Sequence, residues 1–177
     1  IRRAWTSKMI IRKLKDRDCY HVDTVEEAME RLAEEGFQQV FVQPTHVING
    51  IENEQMIRDA LAFESRFETI RFGAPLITSE EDSCQVIEAL IEEMGQVPSD
   101  TALVYMGHGT THYANTVYAA LDYRMKDMGY SNVFLGTVEA YPSLDTMKKR
   151  LKEGGYEKVI LAPFMIVAGD HARHDMA

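Results

Sequence analysis

Two stretches of this chain are copies of one another, and that repetition limits the fold more than any other feature. RLAEEGFQQVFVQPTHVING (31–50) and RLKEGGYEKVILAPFMIVAG (150–169) align at a constant offset of 119 residues. They agree at seven of twenty positions: Arg31/Arg150, Leu32/Leu151, Glu34/Glu153, Gly36/Gly155, Val40/Val159, Pro44/Pro163 and Gly50/Gly169. Each copy reads as a helix end, a glycine stop, a buried strand, a proline and a loop that closes on glycine. Such a chain is expected to build two similar halves. The turn residues of GQVPSD at 95–100 divide them, giving a first half at 1–97 and a second at 98–177. The second half opens with a strand, a loop, a helix and a further strand at 132–138, whereas RRAWTS at the start of the chain already faces FLGTVE of that further strand. About 35 residues are therefore expected ahead of Ile1. With the abrupt stop at HARHDMA, the chain is expected to be truncated at both ends.

Periodicity fills in the halves. Helical spacing of apolar residues occurs at about 7–17, 24–35, 52–66, 80–94, 112–128 and 143–153. Thr24 with Glu27, and Thr78 with Glu81, read as capping boxes. Between the helices lie QVFVQP (39–44), TIRFGAPL (69–76), TALVYM (101–106), NVFLGTV (132–138) and KVILAPFMIV (158–167). These runs are largely apolar rather than alternating, as expected of strands covered on both faces. Regular alternation of strand and helix predicts an α/β fold of two pseudo-symmetric, doubly wound parallel-sheet halves.

Composition narrows the partners. The formal charge of −9 disfavours duplex nucleic acid. No apolar run approaches the roughly 20 residues of a membrane span. Cys19 and Cys84 are too few for a disulfide framework or a zinc knuckle. Neither G-x-G-x-x-G nor G-x-x-x-x-G-K-[ST] occurs, so no nucleotide cofactor is expected. The G-x-S-x-G elbow of a serine hydrolase is missing too. Charge is uneven: residues 1–17 carry seven basic side chains against the single acid Asp16. That run is either a solvated helix face or a cationic lip for an anionic small molecule.

Three residues share one position in the pattern. His108 follows strand 101–106, Glu139 follows strand 132–138, and His171 follows the strand at 158–162 through a longer loop. In a parallel sheet all carboxyl ends lie on one edge, where open α/β sheets bind ligands. Two imidazoles and a carboxylate suit a divalent first-row metal with open coordination positions. Gly107 and Gly109 flank His108 and are expected to leave room for a flat ligand. The 119-residue offset carries His171 onto Glu52, which would face the crevice from the other half or serve as a helix-start acid. His112 lies one helical turn past His108 and is a weaker candidate for the same pocket; His46, also a weaker candidate, is matched by Met165 and so stands outside the symmetric pattern. His21 and His174 read as surface or loop residues.

AWTSKMIIRKL, THVINGIENE, MGHGTTHYA, GTVEAYP and PFMIVAGDHARHDMA, in that order, resemble the anaerobic sirohydrochlorin cobaltochelatases of cobalamin biosynthesis. The resemblance runs through nearly all 177 residues. It implies a class II chelatase fold of two halves, each a four-stranded parallel sheet, with the tetrapyrrole between them. It implies ATP-independent insertion of Co²⁺, a substrate rather than a resident cofactor, into sirohydrochlorin. The family's metal-binding residues fall on His108, Glu139 and His171, and its acidic residue after H-x-I-N-G falls on Glu52. Lys8 stands where a small residue is common, and Ile51 where an acidic one is. On this reading Arg3, Lys8 and Arg12 bind carboxylates of the tetrapyrrole. The same fold loading Fe²⁺ or Ni²⁺, and a non-catalytic carrier of metal or tetrapyrrole, are the alternatives. The expected compartment is the cytoplasm, and a homo-oligomer is left open.

Overall fold

The computed structural model describes residues 1–166. Its chain divides into two compact units, Ile1–Pro75 and Leu76–Ala177.

The first unit runs β1 (Ala4–Trp5), α1 (Lys8–Asp18), β2 (Asp23–Thr24), α2 (Val25–Glu34), β3 (Gln39–Val42), α3 (Ile51–Leu61) and β4 (Thr69–Phe72). β1 pairs in parallel with β2, and β3 with β4 in the register Gln39↔Thr69 to Val42↔Phe72. Amphipathic spacing on α2 and α3 brings Val25, Met29, Met56 and Ala60 into one core, with Leu32, Val40, Val42, Ile70 and Phe72 packed against it. The expected box at Thr24 forms in full: its hydroxyl accepts from Glu27 N–H at 3.2 Å, and Glu27 Oε2 accepts from Thr24 N–H at 2.8 Å.

The second unit holds α4 (Glu80–Met94), β5 (Thr101–Gly107), α5 (Thr116–Asp127), β6 (Val133–Thr137), α6 (Leu144–Gly154) and β7 (Lys158–Pro163). Its strands form a parallel sheet in the order β6-β5-β7. Every residue of β5 and β6 is buried, which explains why TALVYMG and VFLGT carry no polar alternation. The outer edge of β6 is satisfied by a side chain: Asp122 of α5 accepts from Leu135 N–H at 2.9 Å. Asp122 also accepts from Arg150 of α6 at 2.6 Å, so one buried carboxylate ties two helices to the edge strand.

The repeat extends further in space than in letters. The N-caps Thr24 and Ser143 stand 119 residues apart, Gly36 and Gly155 both adopt positive φ (81° and 66°), and β3 and β7 start at equivalent residues. The repeated arginines both meet a carboxylate: Arg31 lies 3.2 Å from Asp23, and Arg150 2.6 Å from Asp122. The halves also differ. Between β6 and α6 the second unit has the six residues 138–143, whereas between β1 and α2 the first has the nineteen residues 6–24. The extra thirteen supply α1 and β2.

Four expectations change. The helix expected to run through 52–66 stops at Leu61, and Glu64–Arg66 form a separate 3₁₀ turn. The second capping box shifts by one residue, because Ser79 accepts from Asp82 N–H at 3.0 Å and Asp82 accepts from Ser79 N–H at 2.9 Å. The strands expected to be covered on both faces are so only in β5 and β6. Phe41 is 65% exposed in β3, and Val159, Ile160 and Leu161 of β7 are open as well. The four-stranded sheets implied by the resemblance appear, among the described residues, as three strands in the second unit and two pairs in the first. The compact units part at Pro75, before α4. α4 joins the second unit because Tyr105 donates to its Leu90 carbonyl at 2.8 Å and Arg124 reaches Cys84 and Glu80. No helix among the described residues is long and apolar enough to cross a membrane.

Candidate metal centre at the carboxyl edge of the second unit

β5 and β6 finish side by side, with Gly107 opposite Thr137. Their ladder continues past both strands, since Val138 N–H donates to the Gly107 carbonyl at 3.0 Å and Glu139 N–H to the His108 carbonyl at 2.9 Å. That backbone pairing forces the two side chains together. His108 Nδ1 lies 3.7 Å from Glu139 Oε2, and both side chains are about half exposed, at 47% and 52%. His108 Nδ1 also lies 2.9 Å from the Gly109 carbonyl, which can only accept, so hydrogen bonding assigns the proton to Nδ1 and the lone pair to Nε2. An imidazole held by a backbone carbonyl through one nitrogen presents the other as a metal ligand in a fixed direction.

The two loops are tied together by Asn115, in the 3₁₀ turn Tyr113–Asn115 that precedes α5. Its Oδ1 accepts from Thr110 N–H at 3.0 Å, and its Nδ2 donates to the Tyr141 carbonyl at 2.6 Å. The second loop is closed on itself, the Pro142 carbonyl accepting from Thr137 N–H at 2.6 Å and from the Thr137 hydroxyl at 3.2 Å. The flanking glycines serve this packing. A Cβ on Gly107 would lie 2.4 Å from the Tyr118 ring, and one on Gly109 would lie 2.9 Å from Ala140 N. Gly109 also adopts φ +85°, a conformation side chains other than glycine's rarely adopt.

The other candidates lie as follows. His171 falls outside the described residues. His112 Nδ1 accepts from Ala114 N–H at 3.2 Å, capping the 3₁₀ turn, and its ring packs on Tyr113. Glu52 is exposed in the first turn of α3, a placement favoured by the helix dipole. His46 is linked to the same helix, 3.3 Å from the buried Asn53. Arg3, Lys8 and Arg12 are all exposed. Lys8 and Arg12 line an open groove on α1 with Lys15, which spacing from the sequence singled out only as part of the basic run. His21, expected to be a plain surface or loop residue, belongs with Asp23 and Glu27 to a cluster whose potential ligand atoms lie within 4.8 Å of one another. That cluster already has its cation, because Arg31 sits 3.2 Å from Asp23 and 3.3 Å from His21.

Comparison with known proteins follows the same lines. The sirohydrochlorin cobaltochelatase of Salmonella typhimurium is 41% identical over 175 residues, covering 99% of this chain and 66% of that protein. Sirohydrochlorin cobaltochelatase CbiKC of Nitratidesulfovibrio vulgaris is 33% identical over 181 residues, covering 100% of this chain and 63% of that protein. The chain thus spans about two thirds of the length of these relatives. The sequence model of the cobalt chelatase (CbiK) family matches residues 1–177. With parallel α/β halves and a histidine–carboxylate pair on adjoining strand ends, the chain belongs to the CbiK cobalt chelatase family.

Proposed function

We propose that the chain carries the metal-insertion site of a sirohydrochlorin cobaltochelatase, which loads Co²⁺ into sirohydrochlorin without ATP in the cytoplasm. The observation that carries this reading is the pairing of His108 and Glu139, 3.7 Å apart at the sheet edge of a chain in this family. His108, Glu139 and His171 hold the incoming Co²⁺ as a substrate through few ligands, so that the stronger macrocyclic chelator can take it. Entry of one Co²⁺ expels two pyrrole N–H protons, which conserves charge. Glu52, and an imidazole of His108 or His171 once it has released the ion, are the bases assigned to receive them. His112 contacts the tetrapyrrole beside His108, and the basic residues Arg3, Lys8 and Arg12 pair with its carboxylates.

The test is anaerobic spectroscopy of sirohydrochlorin with full-length protein and limiting amounts of enzyme, offered Co²⁺, Fe²⁺ or Ni²⁺ in turn. Multiple turnovers with Co²⁺, seen as the absorbance shift on metallation, support the proposal. Faster loading of Fe²⁺ or Ni²⁺ overturns the choice of metal. A single stoichiometric binding event without metallation overturns the enzyme in favour of a carrier.

A further inference from the structure

We infer that His46 of the first unit is a further catalytic residue, a proton acceptor during metal insertion, and that the buried Asn53 positions it. The inference rests on the reading above, in which the entering Co²⁺ displaces two pyrrole N–H protons.

Placement comes first. His46 lies four residues beyond Val42, in the loop 43–50 between the carboxyl end of β3 and the start of α3. Open parallel α/β sheets bind their ligands at that end of the strands. The first turn of α3 then presents two neighbouring side chains differently: Glu52 is exposed, whereas Asn53 is only 3% exposed. A buried amide is costly unless its polar atoms are bonded. Asn53 Nδ2 donates to Asn49 Oδ1 at 2.7 Å, and Asn53 Oδ1 lies 3.3 Å from His46 Nδ1. With the amide N–H group turned to Asn49, the oxygen beside the ring can only accept. Hydrogen bonding therefore assigns the proton to His46 Nδ1 and the lone pair to Nε2.

That tautomer suits a base. A proton taken at Nε2 gives an imidazolium that still carries Nδ1–H, so the bond to Asn53 survives and nothing has to reorient. Nε2 makes no hydrogen bond among the described residues, and the ring is partly exposed, so the proton can pass on to water. In the step itself a pyrrole N–H bond breaks, its electron pair goes to Co²⁺, and the proton forms a new N–H bond at His46 Nε2. One of the two protons thus gains an acceptor that never has to hold the ion.

The duplication separates this network from the needs of the fold. Carried forward by 119 residues, His46, Asn49 and Asn53 fall on Met165, Ala168 and Ala172. Pro44 and Gly50, which frame the loop, recur as Pro163 and Gly169. The residues that frame the loop are kept in both copies, and the three that hold an imidazole occur in one.

The experiment is anaerobic steady-state cobalt insertion into sirohydrochlorin by full-length wild type, His46→Asn, Asn53→Leu and the double variant, with the affinity for metal-free sirohydrochlorin measured in each. His46→Asn keeps an N–H for Asn53 Oδ1 but has no base. Its kcat is expected to fall about tenfold or more, with KM for Co²⁺ and tetrapyrrole affinity within about twofold of wild type. Asn53→Leu, of similar size but unable to accept, is expected to lower kcat by a smaller factor. The double variant should be no slower than His46→Asn alone, because the two residues act as one unit. Wild-type kcat in His46→Asn overturns the inference and leaves the chelatase reading standing. A loss of tetrapyrrole affinity that matches the loss of rate, or losses that multiply in the double variant, overturn it as well. Should Asn53→Leu fail to fold by circular dichroism, His46→Asn alone decides. Wild-type protein that binds sirohydrochlorin and inserts no metal overturns both.

Discussion

At the scale of single residues, the site depends on atoms that hold two loops in register. Asn115 bonds to both, through Thr110 N–H and the Tyr141 carbonyl. Asn115→Ala removes both contacts and should slow cobalt insertion about tenfold or more, because a small misplacement of reacting groups is costly. Asn115→Asp keeps the acceptor for Thr110 but loses the donor to Tyr141, so its rate should fall between the two. Insertion kinetics alongside unchanged far-ultraviolet circular dichroism would check this ordering. Gly109→Ala should do more harm, since its φ of +85° strains an alanine and its Cβ would press on the Ala140 backbone. A denaturant midpoint lowered together with lost insertion is the expected result. The closeness of His108 and Glu139 was legible in the sequence, because residues after neighbouring parallel strands must share an edge. The surroundings of Gly107 and Gly109 were not. A glycine signals close approach without naming what approaches, and here it is Tyr118 and Ala140.

At the scale of elements, the Asp122 junction joins α5, β6 and α6. Its carboxylate receives Leu135 N–H and Arg150, with Lys126 at 3.7 Å, and its side chain is 8% exposed. Asp122→Ala leaves Arg150 and a strand N–H without their acceptor and should cost about 3–5 kcal/mol, measurable by urea denaturation. Lys126 lies over the Phe134 ring and donates to the Val133 carbonyl. Burial lowers its pKa from 10.5 to about 8, despite the opposing pull of Asp122, with Arg150 adding to the decrease. Between about pH 8 and 10.5 the unfolded chain therefore binds more protons at this site than the folded one. This residue's contribution to stability should accordingly rise with pH across that window. Lys126→Met should flatten the rise, and denaturation midpoints from pH 7.5 to 10 would show whether it does.

Element boundaries were readable wherever caps were unambiguous. Thr24 with Glu27 gave the start of α2, but TSEED offers Thr78 with Glu81 and Ser79 with Asp82 as equally good boxes. The structure favours the latter while Asp82 also accepts from Thr78 N–H and its hydroxyl. These bonds, that from Thr78 N–H foremost, hold the Asp82 carboxyl below its usual range. The contribution of this cap is present at neutral pH and is lost as pH falls through the lowered pKa.

At the scale of the whole molecule, one duplication accounts for most of the architecture, and one departure from it accounts for the asymmetry of charge. Caps, glycine stops and strand starts recur 119 residues apart. The basic run of residues 1–17 coincides largely with the inserted α1. Both facts were in the sequence, but the groove was not, because a row of cations becomes a concavity only when neighbouring elements close around it. Strand burial was misjudged for a related reason. Apolar letters in β3 and β7 fix the strand but not its coverage, and Phe41 and Val159 stay open.

The central claim is that the edge carrying His108 and Glu139 is where cobalt enters the macrocycle. The most direct measurement is the anaerobic rate of cobalt insertion into sirohydrochlorin by full-length wild-type and His108→Ala protein, each first shown to bind the metal-free tetrapyrrole. The account predicts repeated turnover by the wild type and a fall of at least 10²-fold in the variant, with tetrapyrrole affinity little changed. Insertion by His108→Ala at the wild-type rate would contradict it.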